Sequence, residues 1–284
     1  MTSTRKAPLK VVAEIGATCG RERSSRAARH AFLGVSALLF AASAATTVVR
    51  CESMPAMGEM PMPGGWTMSM MWMRMCGQTW PGVAASFLGM WAVMTVAMML
   101  PSLVPMLWRY REAVVRTGEA RLAQLTTLVG AGYFSVWMAC GIAAFALGAA
   151  LAQLEMQLPA LSRGVPLVAG AIVIAAGAFQ FTAWKARHLA CCRETPPRGR
   201  TLPADAATAW RHGVQLGLHC SYCCAGLTAA LFVIGVMDLR AMAVVTAAIT
   251  VERLGRSGER AMRAVGVVFV AAGLLLVIRA ALAG

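Results

Sequence analysis

The chain has 284 residues, of which 58% are hydrophobic and 13% are charged, whereas an average soluble domain carries about 25% charged residues. This composition excludes an ordinary soluble domain and indicates an integral membrane protein. The net charge of +14 does not indicate a nucleic-acid partner, because the basic residues lie in short blocks between apolar segments and so describe membrane topology.

Seven apolar segments approach the roughly 20 residues that a helix needs to cross the hydrocarbon core of a bilayer. They comprise residues 31–49, 83–107, 125–151, 165–184, 214–237, 239–251 and 264–283. The sixth segment is short, and Asp238 offers a turn through which it would form a tight helical hairpin with the fifth. We therefore predict an all-α transmembrane helix bundle of about seven spans.

Basic residues mark every second connecting segment. The N-terminal tail holds seven Lys and Arg residues, and the following segments hold two, four, one, six, one and four in order, where the single residue before the last segment is Arg240 at the start of the sixth span. Because cytoplasmic loops are enriched in Lys and Arg, this alternation predicts a cytoplasmic N-terminus and an external C-terminus. The predicted organisation is a basic cytoplasmic tail (1–30), a first transmembrane helix or signal anchor (31–49), an external Met-rich loop (50–82) and a six-helix transmembrane domain (83–284) with a cytoplasmic loop at 185–212.

The first helix contains a small-residue run, Ala42-Ser43-Ala44, that resembles a signal-peptidase site. Its apolar segment is longer than a usual signal core and stays apolar beyond this run, which favours an uncleaved helix. The chain has no Walker loop, Rossmann glycine fingerprint or Ser/His/Asp signature. We therefore expect neither an enzyme nor energy-coupled transport by this chain alone.

The predicted external loop is rich in methionine, with nine Met among the 22 residues from position 54 to position 75. An exposed loop gains little from apolar side chains, and the thioether is a soft ligand that selects Cu(I). The alternative is a loop that lies along the membrane interface, with its Trp residues in an aromatic belt. The candidate ligands are Met54, Met57, Met60, Met62, Met68, Met70, Met71, Met73 and Met75. Cys51 and Cys76 flank the loop and would either form a disulfide or add thiolates to it.

The second span carries Met90, Met94 and Met98 at every fourth residue, so they share one helix face. Such a stripe alone is more often core packing, since methionine fills gaps well. Next to the Met-rich loop it becomes a candidate ligand path. Pro101 and Pro105 remove two backbone donors and predict a kink near the cytoplasmic side.

The fifth span contains the segment HCSYCC, in which Cys220, Cys223 and Cys224 stand at i, i+3 and i+4. In a helix their sulfur atoms gather on one face, with His219 at its edge. Three thiolates near the middle of the membrane suit a soft cation, most readily Cu(I) among methionines, and less readily zinc with His219 as fourth ligand. Redox thiols and simple packing are the alternatives.

A second group of polar residues follows the fourth span. His188, Cys191 and Cys192 form a candidate second soft-metal site in the cytoplasmic loop, although a juxtamembrane Cys pair is also consistent with palmitoylation or inert thiols. Gln180, Lys185 and Glu252 are candidate polar support for a metal site. For Gln180, Glu252 and Asp238 we favour a simple position in the membrane interface.

With these residues assembled, the chain resembles a bacterial family of predicted metal-binding integral membrane proteins of unknown function. The matching pieces are MWAVMTVAMMLPSLVP from Met90, Gln180 and Lys185 followed by Cys192, GLHCSYCC from Gly217, and GVMDL from Gly235 with Glu252 downstream. The resemblance implies a multi-pass protein of the bacterial inner membrane that binds a metal, and it names no metal. Two departures are His188, where a cysteine is expected, and His219 with Tyr222 within the cysteine segment.

These features give three hypotheses. The first is a membrane protein that accepts Cu(I) at the external loop and passes it to the cysteine cluster, for delivery to a copper-dependent membrane enzyme or a copper chaperone, or for translocation. The second is a membrane thiol redox protein that uses the Cys220/Cys223 pair with Cys51 and Cys76 or a quinone. The third is a non-catalytic subunit that packs against a larger complex through small residues. Those small residues are Gly141, Ala144 and Gly148.

Overall fold

The computed structural model describes residues 7–53, 59–63, 66–74, 77–114, 117–194, 201–236, 238–255 and 257–283. This part of the chain forms a bundle of eight helices and one short β-hairpin. The helices are α1 (Ala7–Ser53), α2 (Trp80–Ala113), α3 (Glu119–Gln157), α4 (Pro159–Phe179), α5 (Ala183–Glu194), α6 (Ala206–Ile234), α7 (Leu239–Leu254) and α8 (Gly258–Ala283). The predicted all-α helix bundle is thereby confirmed.

Six of the helices in the described part of the chain are long and apolar enough to cross a membrane, by length and composition. These segments are Arg26–Glu52, Trp80–Ala113, Glu119–Gln157, Ala160–Phe179, Ala206–Ile234 and Gly258–Leu282. The predicted sixth span at 239–251 forms α7, which has 16 residues and is too short to cross the hydrocarbon core unless the bilayer thins around it. The predicted seven spans are therefore six full-length helices and one short one.

Side-chain caps set the beginning of three of these helices. Thr79 Oγ1 accepts from the Gly82 amide at α2, and Asp238 Oδ1 accepts from the Ala241 amide at 2.8 Å at α7. Asp205 caps α6 by accepting from the Thr208 amide at 2.8 Å, which lowers the pKa of its carboxyl. The predicted turn at Asp238 is confirmed, and Asp238 serves as a helix cap.

The fourth predicted span is interrupted. Helix α4 ends at Phe179, residues 180–182 form a turn, and α5 begins at Ala183, where the sequence had predicted the span to continue to residue 184. The Thr182 hydroxyl accepts from the Lys185 amide at 3.2 Å and so starts the new helix. Helix α5 packs against α6 and α7. Its N-terminal part therefore lies in the bundle and not in an irregular loop.

Glycines allow two helix pairs to approach closely. Between α3 and α6, a Cβ atom on Gly213 would overlap the Val129 carbonyl oxygen, and one on Gly132 would lie 2.7 Å from the Trp210 carbonyl oxygen. Between α4 and α8, two glycines seven residues apart on each helix play the same part. They are Gly170 and Gly177 on α4, and Gly266 and Gly273 on α8. Small residues thus fix the helix contacts that frame the site.

The small residues of α3 pack inside the chain. A Cβ atom on Gly141 would overlap the ring of Trp91, and one on Gly148 would overlap the ring of Trp72. These two positions therefore provide space for tryptophans of the same chain. The hypothesis that Gly141 and Gly148 form a surface for an external partner is wrong.

Candidate metal centre

Three thiols of α6 are buried inside the helix bundle. Cys220, Cys223 and Cys224 are at most 2% exposed. The sulfur of Cys224 lies 3.9 Å from that of Cys220 and 3.7 Å from that of Cys223. The structure therefore brings together the three cysteines that the helical spacing placed on one face.

A fourth thiol reaches these three from another helix. Cys192 of α5 is fully buried, and its sulfur lies 3.9 Å from that of Cys223. The sequence had placed Cys192 in a separate second site with His188 and Cys191, whereas the structure makes it part of the thiol cluster, which we define as Cys192, Cys220, Cys223 and Cys224. Cys191 is exposed, because consecutive residues of a helix point in different directions.

A thioether joins the thiol cluster from α2. The sulfur of Met99 lies 4.0 Å from that of Cys220. Met99 was missed because it lies beside the face defined by Met90, Met94 and Met98. A signal was nevertheless present in the sequence: Met99, Ser102 and Met106 are spaced at i, i+3 and i+7 on one face.

A small cavity extends from Met99 toward the N-terminal half of α2. Met94, Met98 and Met99 line it, together with aromatic and aliphatic side chains that include Trp91 and Phe232. Met90 is only partly buried and packs against the surrounding core, and it is not among the residues that line this cavity. Two of the three methionines of the predicted stripe therefore face a common space.

A buried arginine contacts the thiol cluster. One guanidinium nitrogen of Arg253 lies 3.2 Å from the Cys220 sulfur and 2.9 Å from the Ser102 hydroxyl, and the other lies 3.3 Å from the Met106 sulfur. The Tyr133 hydroxyl lies 2.9 Å from the same Cys220 sulfur. Both residues were missed. The sequence placed Arg253 in a loop because it follows a short apolar segment.

An ion pair is buried beside the thiol cluster. Lys185 donates to Glu252 at 2.8 Å and also to the side-chain oxygen of Gln180. All three side chains are at most 2% exposed. The preferred assignment of Gln180 and Glu252 to the membrane interface is therefore wrong: the turn after α4 and the end of α7 direct them into the bundle.

The two histidines pair with each other. The Nδ1 atoms of His188 and His219 lie 3.1 Å apart, and the His188 ring also packs against Trp184 and Tyr222. Among the contacts of the described residues, none joins the His219 ring to a thiol. The geometry therefore favours a His188–His219 pair and not a site in which His219 is a ligand together with the three cysteines of α6.

The Met-rich segment folds as a hairpin over one end of the bundle. Strand β1 (Glu59–Met62) pairs with β2 (Trp66–Ser69), with Met60 opposite Met68. The Trp66 ring donates to the Ser162 carbonyl at 3.0 Å, and Trp72 packs against Phe87 at 5.1 Å. Among the candidate ligands, Met60, Met62, Met68, Met71 and Met73 have described side chains and Met70 lies in a short turn, while Met54, Met57, Met75 and Cys76 lie outside the described residues.

The thiol cluster is a chain of contacts, from Cys192 through Cys223 and Cys224 to Cys220. Within the described residues, no three His, Cys, Asp or Glu side chains form a group arranged to hold a metal ion. The cluster therefore offers pairs of thiols, with a thioether beside one of them, and not a closed tetrahedral cage.

Comparison with known proteins identifies one family. A family model described as PpoB2, copper chaperone, matches residues 88–276. The matched region contains the thiol cluster, Met99 and Arg253, and it begins after the hairpin. No curated protein and no solved structure matches the chain.

Proposed function

The chain belongs to the PpoB2 copper chaperone family, and from this premise we propose that it binds Cu(I) through the thiol cluster and transfers the ion within a membrane. Copper is here the cargo, and the protein's part is to hold and release it without a catalytic step. The candidate recipients are a copper-dependent membrane enzyme or another copper carrier.

The observation that carries the proposal is the position of the thiol cluster. Four sulfurs of α5 and α6 and a thioether of α2 meet inside a helix bundle, where the thiols are at most 2% exposed. A single buried cysteine is a small apolar residue by default. Four cysteines joined by successive sulfur contacts beside an arginine provide a set of soft ligands, and the arginine charge can stabilise thiolates.

The pairwise geometry favours Cu(I) over zinc. Structural zinc sites are closed and tetrahedral, with four Cys or His ligands, and the described part of the chain has no such group. Cu(I) accepts low coordination numbers and prefers thiolate and thioether sulfur. The pair Cys220 and Cys224, with the neutral thioether of Met99 beside Cys220, meets that preference.

We further propose that the hairpin is the entrance. Trp72, which follows the hairpin, packs against Phe232, and Phe232 lines the cavity that also holds Met94, Met98 and Met99. The Met99 sulfur in turn lies 4.0 Å from that of Cys220. Thioethers bind Cu(I) less firmly than thiolates, so affinity would increase along this path. The alternation of basic segments supports an external hairpin and a cytoplasmic N-terminus. An interfacial role for its tryptophans is compatible with this function.

The test is the metal content of protein purified anaerobically after growth with copper. The wild type should retain copper close to one ion per chain, and the triple variant Cys220→Ser, Cys223→Ser, Cys224→Ser should lose it. Cys140→Ser is the matched control, because Cys140 lies on α3, is half-buried, and is not part of the thiol cluster. A wild type that binds no copper would overturn the proposal.

Thiol redox chemistry is the second candidate, since three pairs of sulfurs lie within 3.9 Å of one another. The shortest of these three sulfur–sulfur separations is 3.7 Å, between Cys223 and Cys224, whereas the sequence suggested the Cys220/Cys223 pair. The redox function requires a disulfide that forms reversibly in metal-free protein. Copper binding instead requires that the ion protects these thiols from alkylation.

A further inference from the structure

The charge of Arg253 is unusual for its position. Its side chain is 3% exposed and lies among Cys220, Met106 and Ser102. Among the residues that the structure describes, no carboxylate lies within ion-pair distance of this guanidinium. A buried charge is costly unless it is compensated.

The neighbouring carboxylate does not supply the missing charge. Glu252 precedes Arg253 on α7, but its carboxylate pairs with Lys185 at 2.8 Å, and both of those side chains are buried. The Lys185–Glu252 pair is therefore neutral by itself. From α2 and α3, the groups that meet Arg253 and Cys220 are the Ser102 hydroxyl, the Met106 and Met99 thioethers and the Tyr133 hydroxyl.

We infer that Arg253 is a specificity-determining residue that selects a monovalent soft cation. This inference rests on the proposed function of the thiol cluster. A monovalent ion held by two thiolates is a complex with one negative charge, and the guanidinium beside Cys220 neutralises it. The Met99 thioether adds a ligand without adding charge, so the bound site as a whole is neutral.

A divalent ion at the same two thiolates gives a different net charge. Its complex with two thiolates is already neutral, and the guanidinium would remain buried without a counter-charge. A third thiolate would restore neutrality, but the remaining thiol of α6, Cys223, also contacts Cys192 at 3.9 Å, and within the described residues no three His, Cys, Asp or Glu side chains are arranged to hold one ion. Arg253 therefore disfavours Zn²⁺ or Cd²⁺ by charge, even where the softness of the ion suits sulfur.

The experiment separates charge from softness by using Ag(I) and Cd(II), two soft ions of different charge. The purified full-length chain in detergent is exposed anaerobically to equal amounts of both ions, and the bound ions are quantified by mass spectrometry after desalting. The variants are Ser102→Asp and its isosteric control Ser102→Asn. Ser102 already contacts Arg253. A carboxylate at position 102 would therefore neutralise the guanidinium charge while the arginine itself remains.

We expect the wild type and Ser102→Asn to bind mainly Ag(I), and Ser102→Asp to shift the Ag(I) to Cd(II) ratio at least about tenfold toward Cd(II), the equivalent of about 1.4 kcal/mol. Arg253→Gln should shift the ratio the same way, and Arg253→Lys should retain the wild-type preference. Arg240→Gln, at an exposed position of the same helix, is the control for loss of a positive charge.

A purely structural role for Arg253 would lower the uptake of both ions without changing their ratio. Equal ratios in Ser102→Asp and Ser102→Asn, with wild-type uptake of Ag(I), would overturn the inference and leave the proposed function intact. A wild type that binds neither ion would overturn the proposed function, and the inference with it.

Discussion

At the scale of single residues, Cys192 joins helix α5 to the thiols of α6. It is the member that α5 contributes, and its sulfur lies 3.9 Å from that of Cys223. The neighbouring Cys191 is exposed. These two adjacent cysteines therefore provide a matched pair of the same chemistry in different environments.

We predict that Cys192→Ser reduces the affinity for Cu(I) at least about tenfold, because it removes a soft ligand from the chain of thiols. Cys191→Ser should bind Cu(I) as the wild type does. Competition with a chromophoric Cu(I) chelator would measure both affinities. If the two variants lost affinity equally, Cys192 would have no special role in binding.

Lys185 and Glu252 form the second residue-scale feature. Their pair lies beside the thiol cluster with at most 3% exposure of either side chain. Lys185→Met should lower the free energy of unfolding by about 3–5 kcal/mol, because it leaves the Glu252 carboxylate buried without a partner. The double variant Lys185→Met, Glu252→Leu should recover most of the loss. Thermal unfolding in detergent would measure both, and equal destabilisation of single and double variants would contradict this explanation.

At the scale of helices, the sequence predicted long apolar elements well and short ones poorly. Helix α2, with 34 residues, gives a strong apolar signal, and its prediction from residue 83 to 107 lies within the observed helix. Helix α5 carries Lys185, Arg187 and Arg193 in 12 residues, so its composition resembles a connecting loop. Its burial comes from packing against α6 and α7, which the linear pattern does not contain.

The contact between α3 and α6 depends on Gly213. A methyl group there would overlap the Val129 carbonyl oxygen of α3. We predict that Gly213→Ala lowers the free energy of unfolding by about 1–3 kcal/mol through overpacking, and that it also weakens copper binding, because α6 carries three of the thiols. Gly130→Ala on α3 is the control, since a Cβ atom there meets no other atom within 4 Å.

Thermal unfolding and copper titration of both glycine variants would test this prediction. Loss of stability in Gly213→Ala alone would support a tight α3–α6 contact at this position. Equal stability of Gly130→Ala and Gly213→Ala would contradict a close contact between α3 and α6 at Gly213.

At the scale of the whole molecule, four helices of the described bundle build the site. Helices α2, α5, α6 and α7 contribute Met99, Cys192, Cys220 and Arg253 respectively. The regular spacing of the cysteines within α6 predicted from the sequence that their sulfur atoms lie on one helix face. The contributions of the other three helices depend on tertiary contacts between residues 31 to 121 positions apart, and no local pattern specifies them.

X-ray absorption at the copper edge of protein loaded with one copper ion tests the central claim most directly. We predict a Cu(I) edge and a first shell made of sulfur only, at about 2.3 Å, similar to the metal–thiolate distance of zinc sites. The sulfur shell should be lost in the Cys220→Ser, Cys223→Ser, Cys224→Ser variant. A first shell of nitrogen or oxygen ligands in the wild type would contradict a copper site in the thiol cluster and would direct attention to the His188 and His219 pair.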